Sequence, residues 1–194
     1  MGRVPTSRAR KMAIDHVIRA MRQEYETELE AVNQADNGGS LYLPAPEESS
    51  YFRAPPDPEN ILPSNSSVPV YVYPATDRSI DSRSTGGPTT VGQSATWNME
   101  ITLACAVSSS AQHSIDGHTI TSNERLWVRS DLYCGAIVET ISKYGCDGDS
   151  IHFLELVADQ PALFFDRQRS AVGIATARFE ITQKTSAPRR RSLP

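Results

Sequence analysis

The sequence lacks most of the features by which a small protein is assigned to a class. It has no apolar run of the 18 or more residues that a membrane helix needs, and no apolar stretch follows its basic N-terminus as in a secretory signal. It has no basic excess, because 19 Lys and Arg stand against 23 Asp and Glu. The net charge of −4 argues against a nucleic-acid-binding surface along the whole chain. We therefore expect neither a membrane span nor a secretory signal.

Cysteine is scarce, and its spacing argues against two further classes. The three cysteines, Cys105, Cys134 and Cys146, are an odd number and form no CxxC pair. A disulfide scaffold and a zinc ribbon are therefore both poorly supported, and a reduced chain is expected. Cys105 falls on the apolar side of a predicted strand, so we expect a packed thiol rather than a nucleophile.

Catalytic motifs are missing as well. The sequence contains no GxSxG, GxGxxG, P-loop or HExxH pattern. His113 and His118 lie in one polar loop with Asp116 between them, but a metal site needs three or four ligands on defined supports. We predict a protein that is not an enzyme and that has no cofactor and no metal site. A small metalloenzyme built from this loop and distant acids is the alternative.

The 194 residues are enough for one domain with appendages. Residues 7–32 are predicted to form a long helix, because apolar side chains recur there at three- and four-residue steps. This apolar stripe comprises Ile14, Ile18, Met21, Tyr25, Leu29 and Val32. The N-terminal segment that contains this helix, residues 1–32, is interpreted as part of the core domain that continues over residues 68–185.

Residues 33–67 are predicted to form a proline-rich acidic arm. Six prolines interrupt any helix or central strand, and five acids against Arg53 alone give the segment the net charge of the whole chain. Its hydrophobic clusters, Leu41 to Leu43 and Tyr51 with Phe52, are unusual for an inert spacer. Such a segment can lie on a neighbouring subunit; an unstructured linker is the alternative. Residues 186–194 form a short basic tail.

The remainder of the chain indicates a sheet and a second helix. Val70 to Tyr73 is a predicted strand, and residues 77–82 a weaker edge strand. Large apolar residues alternate with polar residues or alanines from Trp97 to Val107, which predicts a long strand with one buried face. Thr121 and Glu124 form a capping box for a helix that ends at Gly145, with Leu126, Tyr133, Ile137, Ile141 and Tyr144 as its buried stripe.

Two final strands, over 151–158 and 172–184, flank a predicted loop that contains Asp159, Gln160 and Pro161. The predicted fold is therefore α+β. A largely antiparallel sheet carries two helices on one face, and the long extended proline-rich arm is added to it.

This order of elements, over residues 7–32 and 68–185, resembles that of the tail terminator proteins of long-tailed bacteriophages. It is more loosely similar to the neck and tail-completion proteins that share their fold. The resemblance implies a ring, usually a hexamer, that caps the tail tube and joins it to the head connector proteins, with DNA passing through the lumen without specific binding. It places the protein in the tail or neck of a virion assembled in the host cytoplasm. The alternative is another neck component, a head-completion or connector adaptor protein.

Two segments depart from the family pattern, residues 33–67 and Arg189 to Arg191 of the basic tail. Both suit an assembly protein, because extended arms that order on binding lock subunits together. Subunit contacts are predicted for the long alternating strand, by extending sheet pairing between subunits. They are also predicted for five residues of the arm, Leu41, Tyr42, Tyr51, Phe52 and Arg53. Contacts to neighbouring rings are predicted for four arginines, Arg19, Arg22, Arg167 and Arg169.

Overall fold

The computed structural model describes residues 6–35, 43–57, 68–75, 81–85, 92–106, 113–115, 118–148, 151–165 and 171–186. These residues form two α-helices, one short 3-10 helix (Glu48–Ser50) and eight strands. The helices are α1 (Thr6–Ala35) and α2 (Ser122–Tyr144). The strands are β1 (Tyr51–Phe52), β2 (Val70–Pro74), β3 (Asp81–Thr85), β4 (Gly92–Ala106), β5 (His113–Ile115), β6 (His118–Ile120), β7 (Phe153–Phe165) and β8 (Ala171–Ser186).

Six of the strands form one sheet in the order β1-β2-β4-β8-β7, with β3 pairing with β4 beyond the end of β2. Every pair is antiparallel except β1 with β2. Strands β5 and β6 form a separate hairpin, where a polar loop was predicted. The predicted α+β class with a largely antiparallel sheet is confirmed.

Both helices pack on one face of the sheet, the face that carries the alternating apolar residues of β4. Five side chains of this face are buried: Trp97, Met99, Ile101, Leu103 and Cys105. Helix α2 reaches this face where Ser130 Oγ lies 3.8 Å from Cys105 Sγ. Helix α1 is joined to it through Gln183, whose amide donates to the Ala9 carbonyl and accepts from Trp97 Nε1, both at 2.7 Å. The alternation in the sequence therefore identified the core face.

Strand β4 lies in the middle of the sheet rather than at its edge. It pairs with β8 over Gly92 to Ala106, and its other side is occupied by β2 and β3. The prediction that this long strand extends sheet pairing between subunits is therefore wrong, because the partners within the chain already use its backbone groups.

The predicted loop at Asp159, Gln160 and Pro161 is instead part of β7, which continues to Phe165. Proline removes a backbone donor, which excludes it from central strands but is tolerated in an edge strand, and β7 is the last strand of the sheet. A register shift at Val157, between Leu156 and Ala158, marks a bulge that re-aims the strand.

Helix α1 ends at Ala35 rather than at residue 32, and the chain returns along it through residues 43–53. The Asn33 side chain clamps Leu43, donating to its carbonyl at 3.1 Å and accepting from its amide at 2.8 Å. Leu43 is buried, and Tyr133 Oη donates to the Pro44 carbonyl at 2.8 Å. Strand β1 then pairs with β2. Residues 43–53 of the predicted arm thus pack on their own chain, while residues 36–42 and 58–67 lie outside the described residues.

The capping box at the start of α2 is confirmed. Glu124 donates its amide to Thr121 Oγ1 at 3.2 Å, and its carboxylate accepts from the Thr121 amide at 2.7 Å. These hydrogen bonds from Thr121 lower the pKa of the Glu124 carboxyl. Gly145 ends the helix with its amide 2.8 Å from the Ile141 carbonyl. Four residues of the predicted stripe are buried, but Tyr144, in the last turn, is exposed.

Candidate functional site

An open cleft of about 430 Å³ separates α1 from residues 45–51. Arg19 and Arg22 line one side, and Glu48 and Tyr51 line the other. The Arg22 guanidinium lies 5.4 Å from the centre of the Tyr51 ring, which is a cation–π contact. Burial raises the pKa of Tyr51 to about 12, against the opposing effect of the Arg22 charge. Two residues predicted to contact neighbouring rings thus share one cleft with a residue predicted to contact a neighbouring subunit.

The other described interface candidates lie beside this cleft on β1. Phe52 is 44% exposed and stacks on Tyr71 with 5.2 Å between ring centres. Arg53 Nε lies 2.6 Å from Asp15 Oδ1, which ties β1 to α1. An exposed aromatic ring with a positively charged neighbour is the composition of a protein contact surface. Leu41, Tyr42, Arg167 and Arg169 lie outside the described residues.

The sheet face opposite the helices carries a row of hydroxyl groups. Thr102 Oγ1 lies 3.0 Å from Tyr73 Oη on β2 and 3.2 Å from Thr176 Oγ1 on β8. Glu100 and Arg178 form an ion pair across β4 and β8 on the same face. Burial raises the pKa of Tyr73 to about 12. These groups satisfy one another, and Thr102 is buried, so they suit a structural network within the sheet rather than a proton-transfer site.

The outer side of β7 is an open edge of the sheet among the described residues. Its two apolar side chains at the bulge, Leu156 and Val157, are 38% and 52% exposed. Glu155 and Asp159 flank them and are also exposed. Exposed apolar side chains on an unpaired edge strand favour pairing with another chain. A strand over 151–158 was predicted from the sequence, but its position at the edge of the sheet was not, because the strand order depends on distant parts of the chain.

The histidines that the metalloenzyme alternative needs lie on the β5–β6 hairpin, where His113 is opposite Ile120 and His118 is opposite Ile115. Among the residues that the structure describes, no group of three His, Cys, Asp or Glu side chains could hold a metal ion. His16, on α1, has its Nδ1 3.4 Å from Asp147 Oδ2 beyond the end of α2. That alternative therefore has no donor set in the described part of the chain.

Cys105 and Cys134 are buried in the core, whereas Cys146 is exposed. Burial raises the pKa of the Cys105 thiol and raises that of Cys134 to about 11. A buried thiol with a raised pKa is a poor nucleophile, because the thiolate is the reactive form. The predicted packing of Cys105 is confirmed.

A thiol titration of the folded chain at pH 8 is expected to count one reactive cysteine. Cys146 is exposed, while burial and the raised pKa protect Cys105 and Cys134. An aromatic disulfide reagent should therefore release one equivalent in buffer and three in guanidinium chloride. Cys146→Ser should abolish the fast equivalent, and three fast equivalents in buffer would contradict the packing described here.

The chain matches no protein-family model, and no curated protein matches it. In the part of the chain that the structure describes, no helix is both long and apolar enough to cross a membrane. The arrangement of the described residues thus offers exposed contact surfaces on two sides, the α1 cleft with β1 and the β7 edge.

Proposed function

We propose that the protein is a structural component of a bacteriophage virion, of the tail terminator type. Copies of the chain form a ring, a hexamer as is usual in that family, which caps the tail tube and joins it to the head connector proteins. DNA passes through its lumen without specific binding. The protein acts by assembly and docking, with no catalytic step. The order of helices and strands that resembles the tail terminator family supports the identity.

The main observation in support of a ring is that the two edges of the sheet differ from each other. One end is β7, a single strand of 13 residues, and the other is formed by the short strands β1 and β3. Among the described residues, neither end pairs with a further strand. Contact between unlike surfaces is heterologous, and it produces a ring when its rotation closes.

The charges on β7 favour this head-to-tail contact over a two-fold dimer. An antiparallel pair of β7 strands centred on Val157 would place Glu155 of each copy opposite Asp159 of the other. Like charges directly opposite each other destabilise a strand pair. Strand β3, at the other end of the sheet, has one acid and one base, Asp81 and Arg83, and imposes no such repulsion.

The charge of the chain also suits passage of DNA. Each phosphate that a protein neutralises adds affinity through counterion release. A net charge of −4 on each copy, multiplied around a ring, keeps such binding weak. A ring of this composition therefore suits a lumen along which DNA slides.

Negative-stain microscopy and native mass spectrometry of the purified full chain are expected to show a closed ring with a central hole. Val157→Lys should convert the ring to monomers, because it places a charge in the apolar contact on β7. Trp127→Lys is the matched control, since Trp127 is an exposed large hydrophobic residue on α2 and should leave the ring intact. A strictly monomeric wild type, or rings that survive Val157→Lys, would contradict the proposed assembly.

Another neck component, a head-completion or connector adaptor protein, is the alternative with the same predicted fold. The two roles differ in the partner. Capture of the tail tube protein by the immobilised ring supports the tail terminator, whereas capture of the portal alone favours the connector adaptor. The same pull-down with Arg19→Glu and Arg22→Glu asks whether the α1 cleft carries that contact.

A further inference from the structure

Trp127 is an exposed tryptophan on α2, with 48% of its surface open to solvent. Its neighbours on the same side of the helix are two exposed carboxylates, Glu124 one turn before it and Asp131 one turn after it. Hydrogen bonds from Thr121 lower the pKa of the Glu124 carboxyl, which keeps it ionised. Asp131 forms no ion pair among the described residues. Glu124, Trp127 and Asp131 are referred to below as the Trp127 face.

An aromatic ring between two carboxylates is complementary to arginine. A guanidinium stacks on an indole ring in a cation–π contact and donates paired, charge-assisted hydrogen bonds to carboxylates. Arg125 and Arg129 lie two residues to either side of Trp127, which places each of them about 200° around the helix from it. Their charges are therefore on the other side of α2 from the indole ring, and the Trp127 face is acidic.

The chain carries a segment of matching chemistry in its basic tail. Arg189, Arg190 and Arg191 follow one another in the sequence, and none of residues 186–194 is acidic. The last described residue before these arginines is Ser186, where β8 ends. Residues 187–194 lie outside the described residues. The tail thus offers three guanidinium groups to a surface that presents two carboxylates and an indole ring.

The tail of the same chain cannot reach the Trp127 face. Gly173 of β8 lies against the turn of α2 that carries Trp127, since a Cβ at Gly173 would be 3.1 Å from the Leu126 carbonyl oxygen. Ser186 is further along β8 by about 40 Å, at a rise of about 3.3 Å per residue. The chain from Ser186 to Arg191 extends by at most about 18 Å. The backbone of Arg191 therefore stops roughly 20 Å short, a gap that one side chain does not span.

We propose that the Trp127 face binds the arginines of the basic tail of a second copy of this chain. The proposal deepens the ring assembly and rests on it, because the ring supplies the second copy. Ser186 is paired with Gly92 of β4, which is also paired with Thr85 of β3. The tail thus leaves the sheet beside the end that the proposed ring places against β7 of the next copy, and α2 packs on β7. The contact adds to the one on β7, so rings without it stay closed but dissociate at lower salt.

The test measures the binding of a fluorescent peptide with the sequence of residues 186–194 to the full chain by fluorescence anisotropy. The full chain carries Arg189→Glu, Arg190→Glu and Arg191→Glu, so that its own tails do not compete. Binding should saturate at one peptide per chain and should weaken as salt is added. Trp127→Ala should weaken it about threefold to fivefold, and Asp131→Lys about tenfold, because the first removes the cation–π contact and the second reverses a charge.

Glu30→Lys is the matched control, because it makes the same change of charge at an exposed position of α1 and should leave peptide binding unchanged. A peptide that shows no saturable binding overturns the site, and so do equal losses in Asp131→Lys and Glu30→Lys. A peptide that binds a DNA duplex but not the chain overturns it as well, and makes the tail a nucleic-acid contact.

The same measurement separates this contact from the ring. Dilute wild-type monomers should bind the peptide as tightly as the charge-reversed chain does. Weaker binding by the wild type would mean that its own tail occupies the face, and would overturn the assignment to a second copy. A wild type that never assembles contradicts the proposed ring and leaves peptide binding as the measure of the Trp127 face, because that binding requires no assembly.

Discussion

Gly173→Ala is expected to be among the most damaging of conservative substitutions in this protein. A Cβ at Gly173 would overlap Ser130 Oγ and would lie 2.9 Å from Cys105 Sγ and 3.1 Å from the Leu126 carbonyl oxygen. The first two groups are buried side chains of the core, and the third belongs to the backbone of α2, which cannot shift alone. Overpacking of this kind costs about 1–3 kcal/mol of the free energy of unfolding. Thermal melting followed by circular dichroism measures the loss.

Gly135→Ala is the matched control, because it makes the same chemical change on α2. A Cβ at Gly135 meets nothing within 4 Å, and Gly135 lies in the exposed interior of a helix, where alanine is favoured over glycine by about 0.8–1 kcal/mol. This control should therefore melt at the wild-type temperature or above it. Ser130→Ala in the Gly173→Ala background should recover part of the loss, because it removes the nearest atom. Equal melting temperatures for the two glycine variants would contradict the close approach of α2 to β8.

Alkaline pH is expected to destabilise the fold strongly between pH 10 and 12. Burial raises the pKa of Tyr51 and Tyr73 to about 12 and raises that of Tyr25 well above its ordinary value. Each of these groups keeps its proton in the folded chain after the unfolded chain has lost it. The stability they contribute is therefore fully present below about pH 10 and is lost as the pH rises through the folded pKa values.

The magnitude follows from the proton count. Each tyrosine lowers the free energy of unfolding by at most about 1.4 kcal/mol per pH unit in that window, so the three together remove at most about 4 kcal/mol between pH 10 and pH 11, and Tyr73, which is only partly buried, contributes less than the other two. Cys134 begins to act earlier, because its pKa is raised from 9.0 to about 11. Urea unfolding at several pH values measures the slope, and the net charge contributes to it in every variant alike.

Tyr25→Phe and Tyr73→Phe should each flatten the slope of stability against pH, because each removes one titrating group. Tyr25 donates to the Tyr133 carbonyl at 3.3 Å, so Tyr25→Phe also loses about 1 kcal/mol at neutral pH. Tyr144→Phe is the control, since Tyr144 is exposed and its replacement should leave the slope unchanged. Slopes that are identical in all variants would contradict the burial of these hydroxyl groups.

Local patterns in the sequence were enough to predict the helices and the core face of the sheet. The stripe from Ile14 to Leu29, the capping box at Thr121 and the alternation from Trp97 to Cys105 all depend on neighbours within a few residues. These patterns predicted the structure correctly because the hydrogen bonds of a helix, and the alternation of side chains along a strand, do not depend on residues that are distant in sequence. Tyr144 was assigned to the core in error, since its side chain is exposed at the end of α2.

The pairing of strands that are distant in sequence could not be predicted from such local patterns. Considered alone, Pro161 indicates the end of a strand. It is tolerated within β7 only because β7 is the edge strand of the sheet. The long strand β4 was predicted to extend sheet pairing between subunits, whereas its two sides are occupied by β2, β3 and β8 of the same chain. No local pattern states which strand lies beside which, because that depends on how all the apolar faces can be covered at once.

The sequence by itself determined the α+β class, the two helices, the capping of α2 and the buried face of β4, since these follow from local periodicity and hydrogen bonding. Only the tertiary structure decided that Gly173 must lack a side chain, that β7 is an open edge, and that Arg129 is buried against the Ala106 carbonyl. Each of these depends on atoms brought together from distant parts of the chain. Close approach, edge position and charge burial are properties of packing, which local sequence does not encode.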